Sequence, residues 1–145
     1  MCAPNAVVRA LLRHLIVERN EVVILDMEAG VEHIGRGTAQ RVDALLIVAD
    51  ANLKALEIAK HIHDLAAKAG MKQIFLVGNR VMNSAQEEVI KGFAEQNGIS
   101  LLAFVPFDQK IIETEMRGET PLRHKEFAAV QAIDNICETL AKKNI

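Results

Sequence analysis

Four aliphatic runs punctuate the chain: residues 22–25 (VVIL), 44–49 (ALLIVA), 74–77 (IFLV) and 101–105 (LLAFV), the last closing on Pro106. None alternates apolar with polar positions. Continuous β-branched and Leu-rich runs of this kind mark parallel strands covered on both faces. Between them the apolar residues fall at helical spacing. Leu53, Leu56, Ala59, Ile62, Ala66 and Ala69 form one stripe, with Gly70 placed to cap its end. A second helix over 85–97 stops before Gly98. An earlier one over 4–19 opens on Pro4 and lines its buried side with Val8, Leu11, Leu12 and Leu15. A last one carries Phe127, Val130, Ile133, Cys137 and Leu140, with Lys142 and Lys143 complementing its C-terminal dipole. Strands alternating with helices predict right-handed crossovers, hence one α/β domain over residues 1–145: a three-layer sandwich with a mostly parallel sheet. The longest irregular stretch, 28–42, holds Gly30, Gly35 and Gly37, and a loop of that length in a compact domain points to function.

Composition narrows the classes. Half of the 145 residues are hydrophobic but only 3% are aromatic, with five Phe and neither Tyr nor Trp, so the core is aliphatic. The 17 basic and 19 acidic residues sum to −2, which argues against a strongly basic nucleic-acid binder and against an acidic tail. No apolar run approaches the ~20 residues of a membrane span, and no signal segment opens the chain. Two cysteines, Cys2 and Cys137, cannot build a disulfide framework; on its apolar stripe Cys137 reads as a buried core thiol. The expectation is a reduced cytoplasmic domain without DNA or membrane partners.

The residues leaving each predicted strand are where chemistry is expected, since an open α/β sheet binds ligands beyond its carboxyl ends. They are Asp26-Met27-Glu28-Ala29-Gly30, Asp50-Ala51-Asn52, Gly78-Asn79-Arg80 and Pro106-Phe107-Asp108. An aliphatic strand delivering an aspartate presents a hard oxygen ligand suited to Mg²⁺. The plain alternative is that Asp26 caps the following turn. Gly30, four residues on, can bring a bare backbone N–H close to a phosphate.

The longer string from Val22 to Thr38, VVILDMEAGVEHIGRGT, resembles the switch II segment of the deviant-Walker P-loop ATPases, the relatives of MinD, ParA and the nitrogenase iron protein. Within that group it is most similar to the CooC-type carbon monoxide dehydrogenase maturation factors, and the likeness runs on through VDALLIVAD, FLVGNRV, FVPFD and GETPL. The resemblance implies a P-loop NTPase fold of the SIMIBI type, with ATP or ADP and Mg²⁺ as ligands. It assigns Asp26 to the Mg²⁺ shell and makes it the catalytic carboxylate, and it gives Gly30 the sensing of the γ-phosphate. Asn79 would hydrogen-bond the adenine edge, and Pro106, Phe107 and Asp108 would line the base pocket. An Asn amide offers a donor and an acceptor side by side, as that edge requires; an Asx-turn is the alternative for Asn79, and plain core for Phe107. The family also carries a cysteine pair, of which Cys2 matches the second half. Cys2 is therefore a candidate ligand for Ni²⁺ or Zn²⁺ across a homodimer, or else an exposed terminal thiol without a role.

The family's Gly-rich phosphate loop with its lysines has no counterpart in these residues, since Gly35-Arg36-Gly37 is too short and lacks a following Lys. The expectation is a C-terminal portion of a CooC-like ATPase, lacking the strand, loop and helix that carry the phosphate cradle. It would assist nickel insertion into carbon monoxide dehydrogenase only with a homodimer partner or a full-length relative, and be inactive alone. Losing that central strand predicts a gap, a re-paired sheet or an exposed edge. The alternative is a non-catalytic nucleotide-binding or interaction module related to MinD and ParA proteins.

Overall fold

A computed structural model of the chain describes residues 22–27, 42–143 and 145. Within these, strand β1 (Leu45–Asp50) leads to helix α1 (Leu53–Lys68), then β2 (Ile74–Val81), α2 (Ser84–Asn97), β3 (Ser100–Pro106), α3 (Gln109–Met116), a 3₁₀ turn (Pro121–Arg123) and α4 (Ala128–Lys142). The three strands form one parallel sheet in the order β1-β2-β3.

Helices α1 and α2 cover one face. Ile47 and Ala49 of β1, Ile74, Leu76 and Val81 of β2, and Leu56, Ala59, Ala66, Ile90 and Ala94 of the helices close a single aliphatic core. Helix α4 lies on the opposite face, against β3. Phe75, whose side chain alternates with those of Ile74 and Leu76, meets Lys143 at the end of α4, with the ammonium 5.7 Å from the ring centre. Helix, sheet and helix give the three predicted layers.

Both internal helices owe their starts to asparagine. Asn52 accepts a hydrogen bond from the Ala55 N–H at 2.9 Å, and Asn83 accepts one from Gln86 at 3.0 Å. Gly98 ends α2 at φ +64°, and Gly70 follows α1 at φ +90°. Asn52→Ala removes one such acceptor and is expected to cost about 1 kcal/mol, read as a lower urea midpoint at unchanged slope.

Two expectations are corrected. Residues 22–25 are not a strand: Val22 to Met27 carry no regular structure, and Val22 and Ile24 are 85% and 87% exposed. An apolar run becomes a strand only by pairing, and β2 is the only neighbour β1 has among the described residues. The outer edge of β1 is therefore open among those residues, and its Leu46 and Val48 are exposed on the face opposite α1. Cys137 is exposed rather than buried. The buried flank of α4 runs through Ala129, Val130 and Ile136, so Ile133 and Cys137 fall on its open side. A helix packed chiefly on one edge strand buries a narrower face than its apolar stripe offers. The predicted helix over 4–19 lies outside the described residues.

Candidate functional site at the carboxyl edge of the sheet

Parallel strands end on one side, and here Asp50, Asn79 and Pro106 stand on neighbouring strands at that edge. Asp50 is the register partner of Asn79, and Val81 that of Pro106. The turns that follow start α1, α2 and α3, so three helix N-termini converge on the same edge.

The β2–β3 ladder is irregular at this point. Gly78 pairs with Phe104 and Val81 with Pro106, so Asn79 and Arg80 together oppose Val105 alone: a β-bulge. Its effect on side-chain direction is large. Ile74 and Leu76 face the α1–α2 core, and unbroken alternation would send Arg80 there and Val81 away. Instead Val81 joins that core and Arg80 is exposed. Arg80 supplies the extra residue by adopting φ +50°, the left-handed region, as the only non-glycine to do so among the described residues. Phe107 resumes the pairing beyond the bulge, its N–H donating to the Val81 carbonyl at 2.9 Å.

Gly78, immediately before the bulge, is there for lack of space. A Cβ would sit 2.6 Å from Cδ1 of Phe104 and 2.8 Å from Cδ1 of Ile90. Arg80 closes the edge with a fork onto Asp50. Its Nε donates to Oδ1 at 3.2 Å and its Nη2 donates to Oδ2. Those hydrogen bonds hold the guanidinium above even its ordinary high pKa.

On the β3 side Asp108 caps α3, its carboxylate accepting from the Lys110 N–H at 3.1 Å. The next turns are fastened by Thr114, fully buried, whose hydroxyl donates to the Lys110 carbonyl at 2.6 Å. Phe127 is buried beneath a stacked His124, ring centres 4.6 Å apart, with the Lys110 ammonium 5.7 Å from the Phe127 ring.

Of the residues singled out from the sequence, Asn79, Pro106, Phe107 and Asp108 are thus brought together at one edge. Phe107 is 43% exposed and so is available to a ligand rather than being core. Asp26 is exposed on its irregular segment. Gly30 and Cys2 lie outside the described residues. Among the described residues no group of three or more His, Cys, Asp or Glu side chains is arranged to hold a metal ion, and no helix is long and apolar enough to cross a membrane. The sequence reading gave no role to Asp50 or Arg80. Their signal was present as an acid ending β1 and a base directly after Asn79.

The model of a family described as 4Fe-4S iron sulfur cluster binding proteins, NifH/frxC family, matches residues 11–145. The chain is 43% identical over 119 residues to an uncharacterized ATP-binding protein of Methanocaldococcus jannaschii, covering 82% of this chain and 46% of that protein. It is 39% identical over 118 residues to the carbon monoxide dehydrogenase accessory protein CooC of Rhodospirillum rubrum, covering 81% of this chain and 44% of that one. The chain spans about half the length of the curated relatives it matches. Among solved structures it is similar to the MinD cell division protein of Aquifex aeolicus, with a TM-score of 0.59 and 20% identity over 72% of this chain and 46% of that one. At that identity the likeness speaks for the fold alone.

Proposed function

We infer, because this chain belongs to the NifH/frxC family, that the carboxyl edge of its sheet is the base-binding portion of a nucleotide site in a CooC-like ATPase. The observation that carries the reading is the bulge in β2, which interrupts a buried strand and leaves Asn79 half-buried and Arg80 exposed between Asp50 and the Pro106–Asp108 turn. Asn79 would read the adenine edge through its amide, and Phe107 would offer ring and backbone to the base. Asp26 would contribute one oxygen to a Mg²⁺ shell, and Gly30 would follow the γ-phosphate. In the intact machine these parts would serve a homodimer that loads nickel into carbon monoxide dehydrogenase, with Cys2 as a thiolate for Ni²⁺ or Zn²⁺ at the dimer junction.

The family description also names a 4Fe-4S cluster, which takes four thiolates. The described cysteine, Cys137, stands on α4 with no metal-holding group of described residues around it. The described residues do not fit a cluster. A second reading, a nucleotide-binding module without catalysis, is favoured by one feature: these 145 residues contain no Gly-rich loop followed by Lys.

Titration of the purified chain with ADP, followed by amide chemical shifts, tests the base pocket. Shifts are expected at Asn79, Arg80 and Phe107. Asn79→Ala is expected to weaken ADP about tenfold, the loss of a hydrogen-bonded pair worth ~1.4 kcal/mol. Unchanged affinity in that variant, or pyrophosphate binding as well as ADP, would remove the base-pocket assignment.

A further inference from the structure

We propose that Asp50 and Arg80 are positioning residues for Asn79: the fork between them holds the β2 bulge in the one arrangement that presents the Asn79 amide at the crevice. The proposal deepens the base-pocket reading and rests on it.

Three observations converge. First, the bulge needs one residue in the left-handed region, and glycine would adopt that conformation without strain, yet arginine occupies it at φ +50°. A residue that accepts backbone strain is held there by its surroundings, and among the described residues the side chain of Arg80 grips Asp50 through two donors. Second, Asp50 is the register partner of Asn79, so the carboxylate gripped by Arg80 belongs to the backbone position alongside the residue being presented. The Asp50 carbonyl also accepts from the Asn52 N–H at 2.8 Å, which ties the fork to the start of α1. Third, the core fixes both flanks of the bulge. Gly78 is pinned beneath Phe104 and Ile90, and Val81 is buried with Leu76. Between two fixed points only Asn79 and Arg80 can rearrange. Fixing Arg80 therefore fixes Asn79. The planar fork matters here more than the charge, because only a bidentate contact sets the orientation of the arm as well as its reach.

The test uses the full chain and four variants: Arg80→Gly, Arg80→Lys, Asp50→Asn and Asn79→Ala. ADP affinity is measured by calorimetry, thermal midpoint by scanning fluorimetry, and the Asn79 side-chain NH₂ resonances by ¹⁵N-labelled NMR. Arg80→Gly is expected to keep or raise the midpoint, since glycine accepts φ +50°, while ADP affinity falls three- to tenfold. A purely structural role would not split the two readouts in that way. Asp50→Asn is expected to lower affinity by a similar factor, and Arg80→Lys to recover less than half of the loss. In the Gly and Asn variants the Asn79 NH₂ pair is expected to shift and broaden without nucleotide present. If both bind ADP as the unaltered chain does, while Asn79→Ala does not, the positioning proposal is overturned and the base pocket stands. If Asn79→Ala also binds normally, or the unaltered chain binds no ADP at millimolar concentration, the base pocket itself falls and the proposal with it. Should Arg80→Gly fail to fold, Asp50→Asn decides, because it leaves the backbone requirement untouched.

Discussion

Gly78→Val is expected to destabilise the domain by about 3 kcal/mol or more, at the upper end of what overpacking costs in a closed core. The backbone there is ordinary extended strand, so the penalty is one of space. The first added carbon alone would lie 2.6 Å from the Phe104 ring and 2.8 Å from Ile90, and Ile90 is fully buried and has nowhere to retreat. Valine adds two methyl groups to that overlap. Against a typical total of ~5–15 kcal/mol, the loss leaves a large unfolded fraction. Gly92, in the middle of α2, supplies the opposite sign: a Cβ there meets nothing within 4 Å. Gly92→Ala should therefore stabilise by ~0.5–1 kcal/mol through helix propensity. Urea unfolding of both variants checks the pair. Combining Gly78→Val with Phe104→Leu should recover part of the first loss, because the two sites share one contact and their effects cannot simply add. Equal behaviour of the two glycines would show that Gly78 is not gripped as described.

This contrast also marks where the sequence was legible. The apolar runs at 44–49, 74–77 and 101–105 and the stripes and caps of helices α1, α2 and α4 could be read, because each buries a face that its own residues declare, whereas β2 continues four residues beyond its run, to Val81. The edge that would carry a ligand followed from strand order alone, and Asn79, Pro106, Phe107 and Asp108 do meet there. Helix α3 went unread. Ile111 and Ile112 are its only aliphatic pair, and it stands on the Asp108 cap and the buried Thr114 rather than on periodicity. Residues 22–25 were over-read because β-propensity describes fitness for a neighbour, not the presence of one. The bulge was invisible for a deeper reason. It appears only when Val81 and Leu76 are seen in the same core despite an odd spacing, which is a fact about two strands and a helix together.

ATP turnover by this chain alone is expected to be at least ~10³-fold below that of a family member with a complete phosphate loop, assayed side by side. Phosphoryl transfer draws its catalysis from positioning and from charge stabilisation around the transferred group, and losing even one well-placed donor from such a site costs about 10²–10³. Backbone N–H groups at helix N-termini could substitute in principle. Here each of the three converging N-termini already has one of its N–H groups engaged by its own cap: Ala55 by Asn52, Gln86 by Asn83 and Lys110 by Asp108. The last of these places a carboxylate where an incoming phosphate would need a donor, and Asp50 keeps the Arg80 guanidinium occupied at the same edge. Binding contributed by the base alone should also be indifferent to the phosphate tail, so adenosine, AMP, ADP and ATP are expected to bind within about threefold of one another, under ~0.7 kcal/mol. Phosphate release by a coupled assay and calorimetry across the four ligands measure both. Turnover within tenfold of the reference, or affinity climbing steeply with each added phosphate, would mean that these residues build a phosphate cradle of their own, and that the crevice does more than hold the base.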